Sequence, residues 1–508
     1  MQNAYGHAVA LVLACAASSW GAAQAFAADI VVSNTNDAVN GVTSSPQALK
    51  SNPGPDGISL REALLAANNV PGPHVITFAP SLVGKTITLS STLPPVTRDG
   101  ITITGRLKSA KPAITINGKA ATGGATLFVA ASSFTISAMK FIFCPPHYST
   151  ISIAGGQPGF SAIVKKIQNI RISGNAFTHS GAASDGFAIG SPGFRDNLTI
   201  SDVVVDNNSF DGVQEAVNIG PGGSNHVLQD ILVYRNTFKN STAPATSAVE
   251  FGVHDGKNNR ILRSHIMRNV FINNFAGISL NINRDAGPSG GQDTTTTGNV
   301  IDRTTIEGNT FIGNGSISIS SGVGGGGSFV PVGNTISNTS IVNNVFTGST
   351  SNVAAHLMDN QNGAHGNKVK TVLFFNNTVN NTNSGPTPPA ILIDTVGGII
   401  GVKVRNTIFW KASAGGENNA VSTVSPPVVV DHSIINQSPF VGGTNFNANP
   451  LFVNAARNNF GLQNASPAKG AGTATGAPVD DADCQPRAAP PSIGAYEFNG
   501  PNICPAQP

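Results

Sequence analysis

The stretch ILVYRNTF at Ile231–Phe238 carries the pattern that decides the fold of this chain. Alternating aliphatic residues lead to an Asn, and a Phe follows two residues later. The phrase recurs about every thirty-three residues, and a period of this size indicates a repeat architecture rather than an ordinary globular domain. Its leading asparagines are Asn175, Asn208, Asn236, Asn269, Asn309, Asn344, Asn377 and Asn406.

The residues before each leading Asn alternate in polarity. Ile172 is followed by Ser173, and Val205 is followed by Asp206. This alternation, with β-branched residues on one side, predicts a strand that buries one face. We expect the Asn to sit at the bend that follows, because Asn tolerates left-handed backbone and can bond its own main chain. The Phe then returns to the interior.

Two further strands complete each repeat. The second reads VNIG at Val217, VEFG at Val249 and ISLN at Ile278, and the third reads NRILR at Asn259 and GNVID at Gly298. Three short strands and three bends predict an all-β fold, a single right-handed parallel β-helix. A β-propeller would need antiparallel hairpins with turn signals, which these repeats lack. Stacked coils should align the asparagines in a hydrogen-bonded ladder and the phenylalanines in an aromatic stack.

The N-terminal end of the solenoid is expected to be covered by a short helix. Ser59-Leu60-Arg61-Glu62 is a capping box, and the helix runs to about Asn69 with one apolar stripe. Such a helix can protect an open end whose strands would otherwise aggregate. The chain is therefore divided into a signal peptide at 1–28, an N-terminal capping segment with the helix at 29–73, the parallel β-helix at 74–445, and a C-terminal capping segment and tail at 446–508.

The first residues are typical of an export signal. An apolar stretch spans Ala8–Ala17, and Ala25-Phe26-Ala27 is a small-x-small cleavage site. Lipid attachment at Cys15 is the alternative. Both interpretations predict a protein outside the cytoplasm: secreted, periplasmic or associated with the cell surface.

Composition limits the partners. Charged residues make up only 11% of the chain, and the formal net charge is +3. This charge is too small to favour nucleic acid or a membrane surface. No later segment reaches about eighteen uninterrupted apolar residues, so we expect no transmembrane segment. A monomer is expected.

Three cysteines remain after an export signal is removed. Cys484 and Cys504 flank the C-terminal tail and could form a disulfide in an oxidising compartment, whereas Cys144 is most simply a lone thiol. No metal-ligand spacing occurs, so no cofactor is expected. Calcium could bind Asp and Asn side chains, but a compact Asp-rich motif is lacking.

Two terminal stretches carry a family resemblance. ISLREALLAANN at Ile58–Asn69 resembles the CSLREA segment of secreted bacterial proteins, with Ile58 in place of the Cys. Asn449–Gly472 and Pro491–Phe498 are similar to the C-terminal segment of choice-of-anchor Q proteins. The coils between them resemble the repeat of pectate lyase-like proteins. The resemblance implies an exported carbohydrate-active or surface protein, and it transfers no catalytic residue.

Polar side chains are densest between Asp211 and Asp285. Hydrolysis of a polysaccharide uses two carboxylates, whereas β-elimination uses a base and a group that neutralises the uronate. Aligning the second strands places Asn218, Glu250 and Ser279 in one outward column. The predicted catalytic residues are Glu250, His254 and Asp255. The residues predicted to bind substrate are Glu215, Asn218, Arg235, Arg268, Asn281 and Arg284.

Arg235 and Arg268 occupy the same position in consecutive coils. A strand spacing of about 4.8 Å would bring their charges close together, and a bound anion would relieve the repulsion. The pair could therefore clamp a uronate or a sulfate. Alternatively, the two side chains extend into solvent or pair with Glu250 and Glu307.

These observations support two functions of different classes. The first is a secreted protein that acts on or binds extracellular polysaccharide, as a lyase or glycoside hydrolase of acidic glycans. The second is a non-catalytic, adhesin-like surface protein that uses the solenoid as a rigid rod. The sequence leaves open whether the chain is an enzyme.

Overall fold

The structure, a computed structural model, describes residues 30–105, 114–121, 123–143, 149–153, 164–179, 187–191, 196–244, 246–284, 296–313, 315–324, 331–348, 353–358, 365–381, 389–393, 398–411, 420–421, 428–437, 439–498 and 503–504. The predicted signal peptide and Cys144 lie outside these ranges. Nearly all described elements are strands, and they pair in parallel in three long sheets. The predicted fold, a right-handed parallel β-helix, is confirmed.

A complete coil contributes one segment to each sheet. The predicted division into strands is corrected here, because the strands predicted as third and first lie in the same sheet and form one continuous strand in Thr199–Asp206 and Val227–Tyr234. The Phe after the leading Asn lies in a strand of its own, as in Thr237–Lys239. The first sheet contains Ile30–Val32, His74–Phe78, Ile101–Thr104, Phe134–Ser137, Lys166–Ser173, Thr199–Asp206, Val227–Tyr234, Arg260–Leu262, His265–Met267, Val300–Asp302, Thr305–Glu307, Thr335–Val342, Lys368–Phe375, Ile399–Ile400, Lys403–Arg405 and Val429–Asp431. The second contains Thr86–Thr88, Ile114–Asn117, Met139–Ile142, Ala176–Thr178, Ser209–Asp211, Thr237–Lys239, Val270–Ile272, Thr310–Ile312, Val345–Thr347, Thr378–Asn381 and Ile408–Lys411. The third contains Ala125–Val129, Ser149–Ile153, Ile189–Gly190, Val217–Ile219, Ser247–Val253, Ala276–Arg284, Ile317–Gly324, Ala355–Met358 and Ile391–Ile393.

The interior of the solenoid contains the two predicted stacks. Asn236 Nδ2 donates to Asn269 Oδ1 at 3.1 Å and to the Val205 carbonyl at 2.8 Å, and the same pair of bonds repeats along the ladder. Phe210 and Phe238 stack with their ring centroids 4.9 Å apart. The ladder and the aromatic stack are therefore confirmed. The continuous ring stack consists of Phe141, Phe177, Phe210, Phe238, Phe271, Phe311 and Phe346.

The bend does not fall on the leading Asn, and this prediction is wrong. Left-handed backbone occurs one residue earlier, as at Arg235 (φ 54°) and Arg268 (φ 55°). The reason is that the ladder Asn must point inward to bond the next coil, so its outward neighbour makes the bend. Asn406 (φ 51°) is likewise a bend residue, and Thr407 takes the ladder position, where its Oγ1 accepts from Asn377 N at 3.4 Å.

A second buried ladder lies at the corner between the third and first sheets. Asn259 N donates to Asn299 Oδ1 at 2.8 Å, and Asn299 Nδ2 donates to Asn334 Oδ1 at 3.1 Å. In an adjacent coil His226 takes this position, and its Nδ1 accepts from Leu198 N at 3.3 Å. The sequence signal for this second ladder is the Asn that precedes successive first-sheet strands, as at Asn259, Asn299 and Asn334.

The N-terminal end is covered by two helices, α1 at Pro46–Ser51 and α2 at Leu60–Asn68. The capping box is present, and buried Glu62 also accepts from the backbone amides of Asn40 and Gly41 at 2.7 Å each. The capping segment contributes a strand as well, since Ile30–Val32 pairs with the first coil. Within the described residues, no helix has the length and apolarity needed to cross a membrane.

The C-terminal segment folds back along the corner between the first and second sheets. It includes an antiparallel pair of strands, Phe452–Asn454 and Asn459–Leu462, joined by a short 3₁₀ turn. We call its last part, residues 473–498 with 503–504, the C-terminal strap. Bend residues of successive coils hold it: Asn406 Nδ2 donates to Thr473 O at 2.8 Å and Asn343 Nδ2 donates to Asp480 O at 2.7 Å.

Candidate functional site

The outward side chains of the third sheet form a polar track. Asn218 is the register partner of Glu250, and Glu250 is the partner of Ser279. The predicted outward column is therefore confirmed. We call the part of the column between Phe128 and Leu392 the third-sheet track, and it consists of Ser152, Gly190, Asn218, Glu250, Ser279, Ser318 and His356.

Glu250 and His254 form a pair on this face. Their closest atoms, Glu250 Oε1 and His254 Nε2, are 2.5 Å apart. Glu250 lies on the strand Ser247–Val253 and His254 directly follows it, so the two side chains reach toward each other over the end of the strand. Gly252 lies between them. A Cβ built on Gly252 would stand 3.0 Å from each of these two atoms and 2.4 Å from Asn281 Oδ1.

Gly252 is thus a site residue that sequence reasoning missed. Its lack of a side chain leaves the space in which Glu250 and His254 meet. The signal was available in the stretch VEFGVH, where an outward Glu, Gly and His follow one another at period two.

A second carboxylate joins the pair through an amide. Asn218 Nδ2 donates to Glu215 Oε2 at 2.8 Å and lies 3.4 Å from Glu250 Oε1. Glu215 Oε2 and Glu250 Oε1 are therefore at most about 6 Å apart. With Asn281, described below, the structure brings together five of the predicted residues in one network.

Burial and charge act in opposite directions on Glu250. The residue is only 6% exposed, and burial alone would raise the pKa of its carboxyl. The positive charge of His254 and hydrogen bonds from His254, Asn281 and Asn218 outweigh this effect and hold the pKa of Glu250 below its usual range. The His254 side chain is 33% exposed, so it stands between the buried carboxylate and solvent.

Asn281 completes the network from the neighbouring coil. It is the register partner of Gly252, and it is 6% exposed. Its Nδ2 donates to Ser279 Oγ at 3.1 Å. Its Oδ1 is buried without a hydrogen-bond partner and stands beside the space over Gly252. A buried acceptor without a donor is unusual, and such atoms occur at functional sites.

Asp255 and Arg284 do not contribute described side chains to this network. Asp255 is exposed, and its Oδ1 accepts from the backbone amide of Gly223 at 2.8 Å, a contact that ties adjacent turns together. Arg284 ends a strand of the third sheet, but its side chain lies outside the described part of the structure, as does all of Asp285.

The structure places Arg235 and Arg268 at the other corner, between the first and second sheets. The Arg235 guanidinium lies over the Tyr234 ring, 4.9 Å from its centroid. The Arg268 guanidinium contacts the sulfurs of Cys484 and Cys504, which form a disulfide in the C-terminal strap. The two arginines are aligned as expected, but they do not converge with Glu250.

The described residues show no metal site of the usual kind. No group of three or more His, Cys, Asp or Glu side chains among them could hold an ion.

Replacing Gly252 with Ala should separate Glu250 from His254. The added methyl would meet Asn281 Oδ1 at 2.4 Å, and we expect a loss of about 1–3 kcal/mol in the free energy of unfolding, as for other overpacked sites. We also expect the pKa of Glu250 to rise, because its burial remains while the His254 contact is lost. Thermal unfolding and a carboxyl NMR titration with labelled Glu measure the two effects.

Gly461→Ala is the matched control. The nearest atom to its added methyl would be 3.2 Å away, and Gly461 belongs to the antiparallel strand pair of the C-terminal segment, not to the third sheet. In Gly461→Ala, the pKa of Glu250 should equal that in the unmodified protein. An unchanged Glu250 titration in Gly252→Ala would show that the glycine does not maintain the pair.

Comparison with known proteins supplies no family. No protein-family model matches the chain, and no curated protein matches it. Similar solved structures include pectate lyase Pel9A (15% identity, 94% of this chain and 98% of that chain, TM-score 0.41). Another is the surface adhesin PfbA of Streptococcus pneumoniae (11% identity, 76% of this chain and 93% of that chain, TM-score 0.36). A third is the catalytic unit of a GH87 α-1,3-glucanase from Streptomyces thermodiastaticus (12% identity, 81% of this chain and 70% of that chain, TM-score 0.36). At these TM-scores the likenesses assign neither a family nor an activity.

Proposed function

We propose that this chain is an exported polysaccharide hydrolase that works on the outward face of the third sheet. The observation that carries the proposal is the network in which Asn218 joins Glu215 to Glu250 and Glu250 holds His254. Glycosidic hydrolysis needs a proton donor and a carboxylate on opposite sides of the scissile bond. A network with two carboxylates and an imidazole can supply both groups.

The burial of each side chain suggests its role. Glu250 is buried and ionised, so it acts as a positioning residue that orients the His254 ring and stabilises its protonated form. His254, which reaches solvent, donates the proton to the leaving glycosidic oxygen. Glu215 is partly exposed and serves as the second carboxylate, which attacks the sugar carbon or activates water.

The arrangement favours hydrolysis over β-elimination. Elimination from a uronate needs a cation near the substrate carboxylate. Of the three predicted arginines, the two with described side chains, Arg235 and Arg268, lie at a different corner of the solenoid. Glu215 and Glu250, in contrast, lie within reach of one amide group. Hydrolysis needs a proton donor and a carboxylate, and His254 and Glu215 supply these two groups in the proposed reaction.

The lengths of the connections support a binding groove on this face. Fifteen residues, 285–299, connect the third-sheet strand Ala276–Arg284 to the first-sheet strand Val300–Asp302. Only two residues connect the first-sheet strand His265–Met267 to the second-sheet strand Val270–Ile272. Long insertions on one face of a solenoid commonly mark its binding side. The third sheet adjoins these insertions.

The test is a screen of the mature protein against neutral and acidic polysaccharides, with release of reducing ends as the measure of hydrolysis. On any polymer that is cleaved, we expect His254→Asn and Glu215→Gln to lower kcat at least about 100-fold, because each removes a proton-transfer or nucleophilic group. Glu250→Gln should lower kcat and shift the pH profile, since it removes the charge that holds His254.

Asp255→Asn is the matched control, because its carboxylate caps a neighbouring turn instead of joining the network. It should keep the activity of the unmodified protein. Formation of unsaturated ends instead of hydrolysis would identify a lyase and refute the proposed reaction. Tight glycan binding without cleavage on the whole panel would favour the alternative, an adhesin-like rod.

A further inference from the structure

We infer that the C-terminal strap is a pH-sensitive closure, which docks on the solenoid with a proton taken up at the interface and loosens as the pH rises. The proton is taken up by the carboxyls of Glu307 on the solenoid and Asp483 on the strap. This closure is independent of the reaction proposed for the third sheet, because it lies at the corner between the first and second sheets.

The strap packs beside Glu307 from the preceding coil. There, Arg268 directs its Nη1 to Cys504 Sγ at 3.0 Å, and this cysteine belongs to the disulfide of the strap. The strap also passes close to the coil of Glu307 itself, since a Cβ built on Gly308 would lie 4.0 Å from Ala482 O. The Glu307 carboxyl therefore stands at the interface between coil and strap.

The following coil holds the strap on the other side of Glu307. Asn343 Nδ2 donates to Asp480 O at 2.7 Å, and Asn343 Oδ1 accepts from Arg487 Nη2 at 2.7 Å. Arg487 is almost completely buried, and its charge acts on Glu307. Glu307 thus lies between two bends, one in each neighbouring coil, that the strap contacts directly.

Burial and charge act on two carboxyls across this interface. Glu307 keeps part of its surface exposed, yet burial is the largest effect on its carboxyl and raises its pKa. The charge of Arg268 opposes this effect, and the charge of Asp480 adds to it. On the strap, burial and then the charge of Asp481 raise the pKa of Asp483, while Arg268 again opposes the shift. Both carboxyls share Arg268, and both are shifted toward the protonated form.

The other titratable groups that the strap brings to the interface are few. Besides the two disulfide cysteines, the titratable side chains of residues 473–508 are Asp480, Asp481, Asp483, Arg487, Tyr496 and Glu497. Burial lowers the pKa of Arg487 to about 10, so the guanidinium stays charged at neutral pH. Burial raises the pKa of Tyr496, so the phenol stays neutral there. Asp481 and Glu497 accept backbone hydrogen bonds within the strap, from Glu497 N at 2.7 Å and from Ser492 N at 2.9 Å.

The direction of the pH dependence follows from the raised pKa values. A carboxyl whose pKa is higher in the docked strap holds its proton more tightly there than in the released strap. Its contribution to docking is present below its ordinary pKa, 4.5 for Glu307 and 3.8 for Asp483, and is lost as the pH rises through the raised value. Each such carboxyl changes the opening equilibrium by up to about 10-fold per pH unit in this window.

Hydrogen exchange at the amides that join the strap to the coils measures docking. Gly494 N donates to Asn406 O at 2.8 Å, and Ala495 N donates to Thr378 Oγ1 at 3.0 Å. Protection is measured in the full mature chain, relative to the same amides in an unstructured peptide. We expect the protection of both amides to fall at least about 10-fold between about pH 5 and about pH 8, because the docked strap loses its extra proton.

Two substitutions and a matched control test the assigned carboxyls. Glu307→Gln replaces the carboxyl with a neutral group of the same shape, so it should remove most of the fall, and Asp483→Asn in the same chain should remove the rest. Asp302→Asn is the control, since it neutralises another outward carboxylate of the same coil. Asp302 accepts from Ser337 and Asn338 of the first sheet, at 2.7 and 2.8 Å, so its loss should leave the fall unchanged.

The amide of Asn236 separates the strap from the rest of the solenoid, because it donates to Asn269 Oδ1 in the interior ladder at 2.9 Å. Its protection should be the same at both pH values. An equal fall at Asn236, constant protection at Gly494 and Ala495, or a fall that persists in the double variant would each overturn the inference. A carboxyl NMR titration with labelled Glu needs no variant, and a pKa of Glu307 at or below 4.5 would overturn it as well.

Discussion

Replacing Arg487 with Met will loosen the C-terminal strap and cost about 3–5 kcal/mol in the free energy of unfolding, the usual cost of breaking a buried ion network by removing one partner. The Arg487 side chain is only 3% exposed, and its Nη2 donates to Asn343 Oδ1 at 2.7 Å and to Gly494 O at 2.9 Å. Burial lowers the pKa of Arg487 to about 10, while the surrounding carboxylates, Asp481 first among them, oppose this shift.

The cost arises because the carboxylates would stay behind without their cation. Glu497 Oε2 lies 3.7 Å from Arg487 Nη1, and the charge of Arg487 also acts on Glu307 across the interface with the coils. Removing the guanidinium therefore separates the strap from the solenoid as well as breaking its internal bonds. Calorimetric unfolding gives the loss of stability, and limited proteolysis shows whether residues 473–504 are released first.

Arg303→Met is the matched control for this prediction. Arg303 pairs with Asp302 at 2.9 Å, but 46% of its side chain is exposed, so its loss should cost no more than about 1 kcal/mol. Equal effects of the two substitutions would contradict the assigned role of Arg487.

Replacing Asn269 with Leu will interrupt the interior ladder and cost on the order of 4 kcal/mol. Asn269 is fully buried, its Nδ2 donates to Val233 O at 2.9 Å, and its Oδ1 accepts from the backbone and side chain of Asn236 at 2.9 and 3.1 Å. Leu fills a similar volume, but it removes these bonds to the Asn236 backbone amide and the Val233 carbonyl, while Asn236 Nδ2 keeps its bond to Val205 O. Each unpaired buried group costs about 1–3 kcal/mol.

Asn269→Thr separates the loss of hydrogen bonds from the change of shape. The chain itself places Thr407 at this position in a later coil, where the hydroxyl accepts from a ladder backbone amide and donates to Phe374 O at 3.2 Å. The Thr variant should therefore lose roughly half as much stability as the Leu variant. Denaturant unfolding of both measures the difference. Identical losses would mean that packing, and not hydrogen bonding, makes the ladder residue necessary.

The sequence predicted the repeated parts of this molecule well, because each coil buries the same side chains against its neighbours. Phe271 and Asn269 are interior residues for the same reason as Phe238 and Asn236, so one coil predicts the next. The predicted bend is one residue too late. The ladder Asn points into the interior and the left-handed residue before it points outward, and Asn is found at both of these positions.

The candidate site was predicted in part. The alignment of Asn218 with Glu250 follows from strand register alone, and it is confirmed. The meeting of Glu250 with His254 depends on Gly252, whose importance is evident only when side chains are placed in space. The contact between Arg268 and Cys484 could not be predicted from the sequence, because the two residues are 216 positions apart in the chain.

The sequence by itself determined the solenoid: its period, its β-strand repeats, its interior Asn and Phe columns and its N-terminal helix. These features arise from local alternation and from the repetition of one pattern, and both can be read from neighbouring residues. Only the tertiary structure decided which polar residues meet, since loops of unequal length and a C-terminal segment that folds back set those distances. It therefore separated the Glu215–Glu250–His254 network from Arg268, which packs against the C-terminal strap.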